Sequence, residues 1–295
     1  DAGLTPLAGE TGTFTFIPGG AGIYDFYSIA TDTAGNPEAA PTLPDHDATV
    51  TIDADAPTAP LVVDNGTYTS DTTGLHATWS GASDPTSGID HYDYAIGTVA
   101  GATDVRDWTG NASLTEVTAT GLTLVENQVY YIGVRAVNGA GLYTEGWSDG
   151  IMVDSEGPEI VTSSPAHREI VNDNMPPTDV SVSITLDDSG GAGIDWPSLA
   201  MVLDFSTVSS FSRSGSTVTF TASSLVLGHH VVNVQAADIA GNSMNRNIIF
   251  LVEDPRKVIM NPVSATLQPG ETITFTADGG TGTYHWVATG GLLDS

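Results

Sequence analysis

Polar and apolar residues alternate in twos along much of this chain, and no apolar helical spacing is sustained over 11 residues. Tyr130, Ile132, Val134 and Ala136 fall on one face of a segment, with Tyr131, Gly133, Arg135 and Val137 on the other. His230, Val232, Val234 and Ala236 repeat the pattern, opposite His229, Val231, Asn233 and Gln235. Tyr24, Phe26, Ser28 and Ala30 give a third copy. A period of two with one apolar face predicts strands. Each run leads into Ala34-Gly35-Asn36, Asn138-Gly139 or Ala240-Gly241-Asn242, residues that tolerate positive φ, so each strand is expected to turn into a β-hairpin. Leu75, Ala77 and Trp79 alternate inward, Asp84-Pro85-Thr86-Ser87-Gly88 turns the chain, and Tyr92, Tyr94 and Ile96 alternate again.

The hairpin phrase recurs with a period of about 100 residues, and repeats at one period mean tandem units. A second phrase, acids running into proline, keeps the same step: Asp53-Ala54-Asp55-Ala56-Pro57, Asp154-Ser155-Glu156-Gly157-Pro158 and Glu253-Asp254-Pro255. The expected fold class is all-β, with tandem immunoglobulin-like and fibronectin III-like β-sandwiches in an extended array. The expected boundaries are 1–54 for the C-terminal part of one sandwich, 55–155 and 156–254 for two complete ones, and 255–295 for the opening of a further one. In the last of these, Pro269-Gly270-Glu271 followed by the alternating Thr272–Thr276 predicts a turn and a strand.

Residues 57–154 resemble the fibronectin type III family. The likeness rests on Trp79, Tyr92, Leu122 and the run Tyr130-x-Ile132-x-Val134-x-Ala136-x-Asn138. It implies that Tyr130 is a corner tyrosine whose hydroxyl returns to the backbone. Residues 158–252 resemble a bacterial immunoglobulin-like domain through Asp187-Asp188, Gly193-Ile194-Asp195, Gly228-His229-His230 and Asp238-x-Ala240-Gly241-Asn242, with His230 where the tyrosine would stand. Residues 1–54 resemble the second half of such a domain, so the chain is expected to be a window on a longer array.

Charge narrows the functions. The net charge is −29, with seven basic residues against 36 acids. Nucleic-acid binding needs clustered Lys and Arg and is not expected, and no apolar run is long enough for direct membrane insertion. There are no cysteines, so no disulfide framework is present. No nucleophile elbow and no phosphate loop opening a helix occurs. The chain is therefore expected not to be an enzyme. His229 and His230 adjoin on a strand and must face opposite ways. Trp108, Trp147 and Trp196 are expected in three separate loops, as packing residues. Asn172-Asp173-Asn174-Met175-Pro176-Pro177 resembles a cadherin calcium linker and reads as a turn before a strand.

The acids hold the candidate chemistry. In a sandwich of this topology the incoming segment, the loop between the second and third strands, and the last hairpin lie at one end. For the third domain that end gathers Asp154, Glu156, Asp187, Asp188, Asp195 and Asp238; for the middle domain, Asp53, Asp55, Asp84 and Asp90 with Asn138. Short carboxylates around a common point suit Ca²⁺, while histidine and cysteine, the marks of a transition metal, are absent from the group. Ordinary turn acids are the alternative. The expected role is a structural spacer in a large extracellular or cell-surface bacterial protein, adhesin-like or matrix-forming, stiffened by calcium. Its partners would be neighbouring domains of the same longer chain and a cell-surface or matrix partner. Two further readings stay open: an accessory region of a secreted polysaccharide-degrading enzyme, or a glycan- or protein-binding module.

Overall fold

The computed structural model describes residues 13–39, 42, 46–172, 177–255 and 258–279. Asp173–Pro176 of the run read as a turn lie outside them. No helix occurs among the described residues. The chain forms two compact units, Asp1–Val153 and Asp154–Ser295.

The first unit opens with β1 (Gly22–Phe26) and β2 (Ala48–Ile52), an antiparallel pair with Tyr24 opposite Val50. The strand expected from Tyr24 to Ala30 stops at Phe26. Beyond it, an isolated bridge pairs Thr31 with Pro37 within the hairpin. Past Phe26 the backbone amide and hydroxyl of Ser28 donate to the Asp47 side chain rather than to a facing carbonyl. Side-chain acceptors of this kind compete with a ladder.

A sandwich follows, built from β3 (Leu61–Asp64), β4 (Tyr68–Thr69), β5 (Leu75–Ser80), β6 (Ile89–Gly97), β7 (Arg106–Gly110), β8 (Glu116–Ala119), β9 (Val129–Asn138), β10 (Tyr143–Trp147) and β11 (Ile151–Val153). One sheet has the order β3-β5-β8 and the other β4-β11-β9-β6-β7, with β10 also paired to β9. The predicted inward residues of β5, β6 and β9 fill the space between: Leu75, Ala77, Trp79, Tyr92, Tyr94, Ile96, Ile132 and Val134 are all buried. Trp79 meets Tyr92 edge to face at 5.7 Å. Tyr130 is 2% exposed, and its hydroxyl accepts the N–H of Val125 at 2.8 Å, forming the expected corner.

The second unit contains β12 (Glu159–Ser164), β13 (Ile170–Asn172), β14 (Thr178–Asp187), β15 (Ile194–Leu203), β16 (Ser206–Thr207), β17 (Ser212–Ser214), β18 (Thr217–Leu225), β19 (Gly228–Asp238) and β20 (Ser243–Glu253). Its sheets have the orders β12-β14-β18-β17 and β13-β20-β19-β15-β16. Val182, Ile184, Val218, Val232, Val234 and Phe250 lie between them, each fully buried or nearly so. Burying one such side chain contributes about 1.5–3 kcal/mol. β21 (Val258–Asn261) and β22 (Thr276–Gly279) close the described chain. The strand expected over Thr272–Thr276 begins only at Thr276, because the four residues of β21 reach no further than Thr276–Gly279. Backbone groups form a ladder only where a partner meets them.

Trp108 and Trp147 depart from the loop expectation, and so does Trp196: they sit on β7, β10 and β15. Ala95 opposes Gly133 and Gly133 opposes Trp147, so the two indoles meet over small residues, 5.9 Å apart. A Cβ on Gly133 would lie 2.6 Å from the Trp147 ring, which is why glycine stands there. The Arg135 guanidinium lies 3.8 Å from the Trp108 ring centre and 4.4 Å from that of Tyr143. Its Nε and Nη2 donate to Glu145 Oε1, and Trp147 Nε1 donates to Glu145 Oε2. One face of Trp108 and one of Tyr143 are thus occupied by the protein's own cation.

Candidate metal centre

The two sandwiches build their acidic ends from matching parts. In the middle sandwich Ile89 at the start of β6 opposes Asn138 at the end of β9. In the next, Ile194 at the start of β15 opposes Asp238 at the end of β19. Gly88 and Gly193 precede those strands with φ of 70° and 85°, and their carbonyls accept the amides of Gly139 and Ile239. The acid of the incoming segment, Asp53 or Asp154, and the acid of the loop, Asp84 or Asp188, then approach the same hairpin.

In the middle sandwich the hairpin residue is an amide. Asn138 Nδ2 donates to Asp53 Oδ2 at 3.0 Å, to Asp84 Oδ2 at 3.1 Å and to the carbonyl of Asp55 at 2.9 Å. Asp84 Oδ1 accepts the amides of Thr86 and Ser87 at 2.9 Å, and Ser87 Oγ donates to Asp53 Oδ2. These donors, the Asn138 side chain first, hold the Asp84 carboxyl below the usual carboxylate range. The two charges are joined by a protein N–H₂, and the donor set leaves little for a cation to do.

In the second unit the hairpin residue is itself an acid. Asp154, Asp188 and Asp238 offer one oxygen each within 4.8 Å of one another. Asp154 and Asp238 are 1% and 3% exposed. The amide of Ala192 donates to Asp154 Oδ2 at 2.6 Å and that of Gly193 to Asp188 Oδ2 at 2.7 Å. A Cβ on Gly191 would stand 2.6 Å from Asp154 Oδ2, so only glycine lets the loop close over that carboxylate. Asp238 accepts the backbone and side-chain N–H groups of Asn242 at 2.8 Å. Asn242 Nδ2 also donates to the carbonyl of Asp154 at 2.8 Å, tying hairpin to incoming segment. Burial pushes the Asp188 carboxyl up, and the charges of Asp154, Asp238 and Asp187 add to that, against the Gly193 amide. An all-carboxylate oxygen set suits a hard cation.

The remaining acids expected at these ends do not join them. Asp195 follows Ile194 and opposes Ala237, so the pleat turns it to the face opposite Asp238. Asp90, next after Ile89, is exposed and contacts His91 Nδ1 at 2.8 Å. Asp187 accepts the hydroxyl of Ser189. Glu156 and Asp55 are exposed side chains that offer Asn242 and Asn138 only their carbonyls. Asn242, absent from the expected set, is the residue that sequence reading missed; its signal was the asparagine closing the Ala-Gly-Asn phrase.

The strand orders make these sandwiches immunoglobulin-like and fibronectin type III-like. No protein-family model matches the chain. No curated protein matches it. Among solved structures, the chain is similar to the fibronectin(III)-like modules of Clostridium thermocellum CbhA, with 15% identity over 70% of this chain and 99% of that one and a TM-score of 0.36. It is also similar to the Escherichia coli adhesin FdeC, with 16% identity over 70% and 68% of the two chains and a TM-score of 0.40. A 1.5-MDa bacterial ice-binding adhesin gives 15% identity over 70% of each chain and a TM-score of 0.39. No helix among the described residues is long and apolar enough to cross a membrane.

Proposed function

We propose that this chain is a non-catalytic spacer segment of a large bacterial protein displayed outside the cell, and that Asp154, Asp188 and Asp238 hold a calcium ion in its second unit. The observation that carries the cation reading is the contrast between the two matching ends. Asn138 joins its pair of carboxylates through an amide, whereas Asp238 adds a third charge to a nearly closed cluster. Like charges at that spacing repel by a few kcal/mol at the effective dielectric of a protein site. A divalent ion reverses that sign, fastening the incoming segment, the loop and the hairpin of one sandwich together. The spacer reading is supported by sandwiches that each close their own core and by a net charge of −29 that keeps them apart from nucleic acid. Its partners are the neighbouring domains of the same longer chain and, through them, a cell-surface or matrix partner.

The test compares thermal melting in calcium and in magnesium at matched ionic strength, for the wild type and Asp238→Asn, which copies the middle sandwich. Extracellular calcium sites work at about 10⁻⁴–10⁻³ M. At a hundred times the dissociation constant, calcium is expected to stabilise the wild-type second unit by about 2.7 kcal/mol. Magnesium should do less, since it demands stricter geometry, and the variant should show only screening. Equal responses to both ions in both proteins overturn the cation site.

A further inference from the structure

The turn between β15 and β16 rests on a corner with an uncommon backbone. Asp204 and Phe205 are both left-handed, with φ of 45° and 71°, a conformation that costs non-glycine residues free energy unless the surroundings hold it. What holds it is the start of β19. The Asp204 amide donates to the Val231 carbonyl at 3.0 Å, and the Val231 amide donates to Asp204 Oδ1 at 2.8 Å. Asp204 Oδ2 lies 2.5 Å from His230 Nδ1. The other ring nitrogen, Nε2, lies 2.8 Å from the carbonyl oxygen of Val226, in the turn between β18 and β19.

Both partners of the ring are acceptors. A neutral imidazole has one N–H, so one of these contacts would set a lone pair against a lone pair. Both become hydrogen bonds only when both nitrogens carry protons. His230 is 5% exposed and its ring packs at 5.6 Å from that of Phe250, so bulk water does not replace either partner. We propose that the His230 imidazolium is a proton-operated latch, fastening the β15–β16 and β18–β19 turns to the start of β19. Among the described residues, the Asp204 carboxylate is the ionisable group that meets the ring. β20 presents Phe250, the β18–β19 turn presents a carbonyl, and the exposed His229 lies on the opposite face of β19.

The sign follows from the donors. The latch is closed while both ring nitrogens carry protons and opens when one of those protons is lost. With the proton gone one contact turns repulsive, and the left-handed turn loses a restraint. Phe205, Val226 and Leu227, already exposed at this end, become free to rearrange. In the middle sandwich Tyr130 stands at the matching place, and its hydroxyl accepts the Val125 amide in place of the two ring contacts. The latch needs no cation and stands apart from the proposed calcium centre.

The experiment uses the full chain with ¹⁵N-histidine, followed by ring-nitrogen resonances from about pH 5 to about pH 9. Amide exchange at Asp204 and Val231, corrected for base catalysis of exchange, is measured over the same range. Two protonated ring nitrogens are expected at the acid end. Protection of the two amides should fall roughly tenfold or more as the ring loses its proton, the equilibrium worth of one charge-assisted hydrogen bond. In His230→Gln, which cannot titrate, protection should be flat. A single protonated ring nitrogen at the acid end overturns the proposal, and so does wild-type protection that ignores pH. The ring measurement needs no variant, so it decides even if His230→Gln does not fold.

Discussion

The two acidic ends differ first at the hairpin residue. The nitrogen of Asn138 donates where an oxygen of Asp238 repels, while the left-handed glycine, the paired isoleucine and the acid of the incoming segment correspond. Asn138→Asp should therefore convert one kind of end into the other. Without a divalent cation the variant's first unit is expected to melt at a lower temperature than wild type, because Asp53 and Asp84 lose their shared donor. Millimolar calcium should recover the loss in the variant and leave the wild-type first unit unchanged. Differential scanning calorimetry with and without chelator reads both, and a variant deaf to calcium would show that the amide is replaceable by any turn residue.

At the scale of strands and loops, the two ends are expected to answer acid in opposite directions. Asp84 is held below the ordinary carboxylate range, so its contribution is present above that range and is lost as pH falls through the lowered value. Asp188 is pushed above the range, so in calcium-free solution the folded loop takes up a proton more readily than the unfolded chain. Its local stability is present in acid and is lost as pH rises through the raised value. Exchange protection at Thr86 and Ser87 should accordingly weaken towards acid while that at Ala192, bonded to the neighbouring Asp154, strengthens as the Asp188 charge is removed, in a chelator-treated sample. Parallel changes in both loops would contradict the assigned environments. Much of this level was legible before the fold was known. Alternation named the buried faces of β5, β6, β9 and β19 residue by residue. Strand register was not legible, and it decides the rest. It turns Asp195 and Asp90 away from the clusters, places Trp108 beside Trp147 across four strands, and limits β22 to the reach of its short partner.

At the scale of the whole chain, the two sandwiches have separate cores, so damage to one should stay there. Tyr130→Ala removes a buried aromatic and the acceptor for Val125. The loss is about 3–5 kcal/mol, against a domain stability of about 5–15 kcal/mol. The first unit is expected to unfold at a lower denaturant concentration while the β14, β18 and β19 amides keep wild-type protection. Simultaneous loss of both would mean that the sandwiches share stability. The paired indoles of the middle sandwich offer an optical way to watch this. Trp108 and Trp147 are held edge to face at 5.9 Å, close enough for their electronic transitions to mix. A pair so coupled gives circular dichroism of two opposite signs, which neither ring gives alone. The couplet belongs to the middle sandwich and vanishes when β7 and β10 part, so the first unit carries its own chromophore for tertiary order, legible in dilute solution without any label.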